Sequence, residues 1–71
     1  MKLATHETLT SYEVIDRNDE EVKTYTFTSL RGAIRWIKEM LEVFEANASL
    51  INCYERTYDE YGNLITSSRC F

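Results

Sequence analysis

The sequence contains no proline, one histidine and only two glycines, Gly32 and Gly62. A chain without proline-rich or glycine-rich stretches offers no linker, so we expect one small domain over residues 1–71, with residues 1–7 as a loosely ordered head. Two isolated glycines cannot form a glycine-rich phosphate loop. The single histidine, His6, lies in this head, where we expect it to be solvated.

Long apolar runs are also absent. No segment approaches the roughly 18–20 apolar residues that a membrane span requires, and residues 1–7 carry no apolar region typical of a signal peptide. We therefore expect a cytoplasmic protein with no membrane partner. In a reducing compartment, the two cysteines, Cys53 and Cys70, are expected to be free thiols.

Positive charge is the scarcer sign, with 8 basic against 12 acidic residues and a net charge of −4. This balance argues against general affinity for nucleic acids or anionic membranes, which depends on Lys and Arg. Hydrophobic residues make up 44% and aromatic residues 13% of the chain, which argues against disorder. So short a chain buries only about 60% of its unfolded surface, so we expect modest stability.

What is present predicts an α+β domain of the order ββαββ. Residues 8–16 and 22–28 are rich in β-branched and aromatic residues and predict a first hairpin, and residues 49–58 and 64–71 predict a second. An even loop in the first hairpin would place Tyr12 and Val14 on one face with Tyr25 and Phe27. We expect a four-stranded, mostly antiparallel sheet.

The segment between the hairpins predicts one amphipathic helix, capped by Ser29 or Thr28 and running to about Asn47. At about 100° per residue, a core stripe lies within about 60° of Ile37. It comprises Leu30, Ala33, Ile34, Ile37, Met40, Leu41 and Phe44. The helix is expected to pack on one face of the sheet.

Strand order and the register of the last hairpin stay open. An antiparallel sheet permits the spatial order 2-1-3-4 or 1-2-4-3, and a parallel pairing of strands two and three competes with both. In the last hairpin, a three-residue loop pairs Cys53 with Arg69. A four-residue loop pairs Cys53 with Cys70, which would make a cross-strand disulfide geometrically conceivable.

No constellation in the sequence predicts catalysis. Neither cysteine has a histidine nearby in sequence, and the cysteine spacing is not that of a zinc site. The carboxylates cluster at two turns, residues 16–21 and 59–60, at opposite ends of the predicted sheet, so they do not form a paired acid–base site. We expect a protein that is not an enzyme and binds no cofactor or metal.

The helix provides the candidate interaction surface. Its apolar arc extends beyond the core stripe to Trp36 and Val43, with Met40 between them, and Gly32 would leave room for a close neighbour. The charges oppose the helix dipole, because Arg31 and Arg35 lie near the start and Glu42 and Glu45 near the end. Two antiparallel copies related by a two-fold axis near Lys38 would place Arg31 opposite Glu45, Ala33 opposite Val43 and Trp36 opposite Met40.

The sequence therefore favours a non-catalytic protein-interaction module, homodimeric through the helix flank. Its expected interface comprises Gly32, Trp36, Met40, Val43, Arg31, Arg35, Glu42 and Glu45. An alternative is a small acidic inhibitor of phage or mobile-element type that binds a host nucleic-acid-processing protein. A third reading, nucleic-acid binding through Arg31, Arg35 and Lys38, is disfavoured by the net charge. If the curved sheet covers the Trp36 flank, the helix needs no partner there.

Overall fold

The computed structural model describes residues 8–71, so the expectations for the head at residues 1–7 and for His6 lie outside the described residues. Its elements follow the order ββαββ. They are β1 (Leu9–Asp16), β2 (Lys23–Phe27), α1 (Leu30–Glu42), a 3-10 turn (Ala48–Leu50), β3 (Ile51–Tyr58) and β4 (Leu64–Arg69). The predicted α+β class is confirmed.

The four strands form one antiparallel sheet with the spatial order β2-β1-β3-β4, the first of the two predicted antiparallel arrangements. In the first hairpin, Asp16 pairs with Lys23, so the loop of residues 17–22 is even, as expected. Val14 therefore lies opposite Tyr25 on the face that the helix covers, since directly paired residues share a face.

The last hairpin has the Cys53–Cys70 pairing, one of the two registers left open by the sequence, but reaches it by a different route. Tyr58 pairs with Leu64 across residues 59–63, and a register shift between Thr57 and Tyr58 offsets the strands by one residue. Beyond this bulge, the Cys70 amide donates to the Cys53 carbonyl at 2.8 Å. Within the turn, Gly62 has a φ of +83°, a conformation that favours glycine.

The helix begins where the sequence predicts. Ser29 is the N-cap, and its hydroxyl accepts the Gly32 amide at 3.1 Å. The predicted end near Asn47 is wrong, because the helix ends at Glu42. The chain turns through Glu45, whose φ is +54°, and the Asn47 amide donates to the side-chain oxygen of Asn18 at 2.8 Å.

The core lies between α1 and the middle of the sheet. Its buried members are Val14, Ala33, Ile37, Met40, Ile51 and Cys53. Two expected members of the helix stripe are exposed instead, because Leu30 lies at the first helical position and Phe44 follows the helix end. A helix of 13 residues spans about 20 Å, whereas the longest dimension of the molecule is 44 Å. Every residue of β4 is exposed, so the helix leaves this edge of the sheet uncovered.

Candidate functional surfaces

The charged members of the expected interface are all on the surface. Arg31, Arg35, Glu42 and Glu45 are exposed. The first turn of α1 contains no acidic residue and its last turn no basic residue, so both ends oppose the helix dipole, as the sequence indicates. The helix thus presents a basic start and an acidic end to solvent.

The apolar members of that interface divide into two groups. Val43 is 65% exposed, whereas Met40 is 4% exposed and belongs to the core. A Cβ added at Gly32 would lie 3.5 Å from the Phe27 ring, so the space beside this glycine is taken by β2 of the same molecule. Ala33 is also fully buried. The dimer expected from the sequence pairs Ala33 with Val43 and Trp36 with Met40. In each pair one residue, Ala33 or Met40, is buried in the core of the monomer and cannot contact a partner.

Trp36 is intermediate in burial between the exposed and the covered apolar members. The indole is half-buried, with ring centroids 5.3 Å from Tyr25 on β2 and 6.3 Å from Phe44. Its Nε1–H is buried and has no acceptor among residues 8–71. Tyr25 and Phe27 of β2 thus cover part of the flank that the sequence assigned to a partner.

Phe44 contributes exposed apolar surface at the end of the helix. Helical periodicity assigns it to the core stripe, yet the chain leaves the helix just before it and the side chain is 64% exposed. Val43 and Phe44 are consecutive, so the end of the helix presents two large apolar side chains to solvent. Sequence periodicity missed this pair because it assumes a helix that continues to Asn47.

A cavity of about 400 Å³ opens beside the same flank and was not expected from the sequence. It lies among β1, β2, the loop between them, α1 and the segment that follows the helix. Its lining comprises Asp16, Asn18, Asp19, Lys23, Tyr25, Trp36, Met40, Phe44, Glu45 and Ala46. These residues are far apart in sequence, so no local motif indicates the cavity.

Asp16 is the most deeply placed acid in this cavity, with 8% of its surface exposed. Its Oδ1 accepts the Asn18 amide at 2.9 Å and the Asn18 side-chain amide at 2.7 Å. Lys23 is its neighbour across the strands, but the Lys23 ammonium lies 3.0 Å from Asp19. Within residues 8–71, Asp16 forms no ion pair.

The sheet face away from the helix carries a polar cluster on β1, β3 and β4. Glu13 accepts hydrogen bonds from Arg56 at 2.9 Å and from the Tyr58 hydroxyl at 2.5 Å. Arg56 also lies over the Tyr54 ring, 4.9 Å from its centroid. The hydrogen bond to the Glu13 carboxylate is the main cause of a raised pKa at Tyr58, and desolvation adds to it. These contacts connect side chains of β1 and β3 on the solvent side of the sheet.

The two cysteines meet on the helix side of the sheet, where both are free thiols with their sulfurs 3.1 Å apart. Cys53 is fully buried and Cys70 half-buried. Burial, and secondarily the hydrogen bond from Cys70, raises the pKa of Cys53 to about 12. Cys53 therefore remains a neutral thiol at neutral pH.

Within residues 8–71, no three His, Cys, Asp or Glu side chains converge as metal ligands. No helix in that range combines the length and apolar character needed to cross a membrane. Comparisons with protein-family models, with curated proteins and with solved structures found no match.

Proposed function

We propose that this protein is a non-catalytic interaction module that forms a homodimer through the outer surface of α1. The observation that carries the proposal is the exposed pair Val43 and Phe44, two large apolar side chains side by side at the helix end. Apolar side chains grouped on a surface are typical of protein contacts, whereas isolated ones are ordinary.

The charge pattern of the helix argues for a second copy as the partner. A basic start and an acidic end on one helix are complementary to the same helix running in the opposite direction. In such an arrangement, Arg31 of each protomer meets the acidic helix end of the other, where Glu42 is the last helical residue and Glu45 lies in the turn that follows, and each contact occurs twice. An antiparallel partner would also offset the unfavourable placement of these charges in the monomer.

The structure modifies the contact expected from the sequence. Gly32, Ala33 and Met40 are engaged within the monomer, so they support the contact surface from beneath. The proposed surface therefore comprises Val43, Phe44, the accessible part of Trp36 and the four charged residues Arg31, Arg35, Glu42 and Glu45.

Sedimentation equilibrium over a wide concentration range tests this proposal. We expect the wild type to associate reversibly and Val43→Lys to weaken association on the order of 100-fold, because a buried apolar contact is replaced by a charge at two symmetric positions. Leu64→Lys is the matched control, since Leu64 is 53% exposed on β4. A wild type that stays monomeric at every concentration would refute the homodimer. Equal weakening by both variants would place the contact elsewhere.

A further inference from the structure

The cavity beside Trp36 has a charge imbalance that the protein does not neutralise. Three acids, Asp16, Asp19 and Glu45, line it with a single base, Lys23, which is engaged by Asp19. Asp16 is more than nine-tenths buried, its two hydrogen bonds come from the neutral Asn18, and both end on Oδ1. Its Oδ2 accepts no hydrogen bond within residues 8–71 and is not fully buried. A positively charged group that enters the cavity can therefore approach this oxygen and neutralise the carboxylate.

The other walls of the cavity are aromatic. Tyr25, Trp36 and Phe44 line it in succession, and their rings are tilted by 58° for the first pair and 54° for the second. Aromatic rings attract cations placed over their faces, and they favour weakly hydrated organic cations such as methylated ammonium groups. The volume of about 400 Å³ falls within the range of roughly 300–1,000 Å³ typical of small-molecule sites.

We infer that this cavity binds an organic cation, an alkylammonium group held by the Asp16 carboxylate and by the rings of Tyr25, Trp36 and Phe44. The inference does not require self-association, because every lining residue belongs to one chain. The ammonium group can be supplied by a small molecule or by a methylated lysine side chain of a peptide, and the chemistry recognised is the same.

Trp36 is the only tryptophan of the chain, so its fluorescence reports on the cavity directly. The first probe is choline, and its matched control is 3,3-dimethylbutan-1-ol, a neutral molecule of the same shape. We expect choline to change the emission in a saturable manner, with an affinity at least about tenfold higher than that of the neutral alcohol. A second arm uses a short peptide with trimethyllysine and the same peptide with norleucine.

The variants identify the carboxylate that acts. Asp16→Asn keeps the oxygen that accepts the Asn18 hydrogen bonds and removes the charge, and we expect it to lower the affinity for the cation by about tenfold or more. Glu21→Gln removes one negative charge from the same loop, at an exposed residue outside the cavity lining, and should leave the affinity unchanged. Lys23→Met removes the competing cation and should strengthen binding.

Each outcome either supports or overturns the binding of an organic cation in this cavity. Binding of choline shows that the site takes a free cation, and binding of the methylated peptide alone shows that the cation is a side chain. The inference is overturned if neither cation changes the emission, if the neutral analogues bind equally well, or if correctly folded Asp16→Asn binds as tightly as the wild type.

Discussion

At the scale of single residues, the chemistry of this protein lies in side chains whose surroundings the sequence does not reveal. Glu13, Arg56 and Tyr58 are separated along the chain, yet the register of β1 against β3 brings them into one cluster. A strand pattern predicts that each faces solvent. It cannot predict that the carboxylate accepts both hydrogen bonds, since this depends on which strands are neighbours.

The Glu13–Tyr58 hydrogen bond makes a prediction about pH. Because the hydrogen bond from the phenol to a carboxylate favours the neutral form, the pKa of Tyr58 in the folded protein lies above the ordinary value of 10.0. The resulting stabilisation is fully present below the pKa of the unfolded chain and is lost as pH rises through the folded pKa.

Titration of the tyrosines by NMR, with selectively labelled ring carbons, checks this expectation. In Glu13→Gln, the Tyr58 pKa should move down toward 10.0. Tyr12, whose pKa is raised mainly by the Glu55 carboxylate opposite it on β3, should not move with it. A Tyr58 signal that titrates identically in the wild type and in Glu13→Gln would contradict the assigned cause.

At the scale of elements, the sequence predicts what local patterns determine. The Ser29 cap, the order ββαββ and the even first loop follow from hydrogen-bonding side chains and from residue alternation. The end of α1 was predicted wrongly because the apolar pattern does not reveal the turn that ends it, in which Glu45 has a φ of +54° and the Ala46 amide donates to the Met40 carbonyl at 3.0 Å. Asn18, in the loop after β1, then binds the Asn47 backbone and holds the segment that follows the helix.

That contact predicts the effect of Asn18→Ala. The substitution leaves the Asn47 amide without its acceptor and removes the side-chain amide donor from Asp16, while the backbone donor stays, so we expect a loss of roughly 1–3 kcal/mol in the free energy of unfolding. Urea denaturation measures the loss. Ser67→Ala removes the acceptor of one exposed hydrogen bond from Arg56 and should change stability by less than about 0.5 kcal/mol. Equal losses in the two variants would show that Asn18 does not anchor the segment that follows the helix.

The β3–β4 hairpin makes a second prediction at this scale. Cys53 and Cys70 lie on one face with their sulfurs 3.1 Å apart, so a disulfide needs little movement of the backbone. At alkaline pH, the thiolate of the half-buried Cys70 should attack oxidised glutathione first and release one reduced glutathione. Cys53, once it loses its proton, then attacks the Cys70 sulfur of the mixed disulfide and releases the second. The two thiols lose two hydrogen atoms, and two molecules of reduced glutathione form.

Mass spectrometry without reductant checks this outcome, with Cys53→Ser and Cys70→Ser as controls. We expect the wild type to become lighter by two hydrogen atoms and to gain thermal stability, because the crosslink restricts the unfolded chain. Cys53→Ser should retain glutathione on Cys70, and Cys70→Ser should react slowly. A stable glutathione adduct on the wild type, without an internal crosslink, would contradict the geometry.

At the scale of the whole molecule, one side of the helix is covered by the protein itself and its end is not. Periodicity correctly indicates that the apolar arc reaches Trp36 and Val43. It could not show that Phe27 and Tyr25 of β2 would lie against Gly32 and Trp36, since contacts between distant elements are absent from a one-dimensional pattern. Tyr25 and Phe44 also line the cavity beside Trp36. The proposed contact therefore lies nearer the helix end than the sequence indicates.

The most direct test of this account mixes two charge-reversed chains. Arg31→Glu places like charges opposite Glu45 in the proposed antiparallel dimer, and Glu45→Lys places like charges opposite Arg31, so each variant alone should be mainly monomeric in sedimentation equilibrium. Their equimolar mixture restores both opposite-charge contacts, and we predict that it associates about as tightly as the wild type. A mixture no more associated than either variant alone would contradict the proposed homodimer.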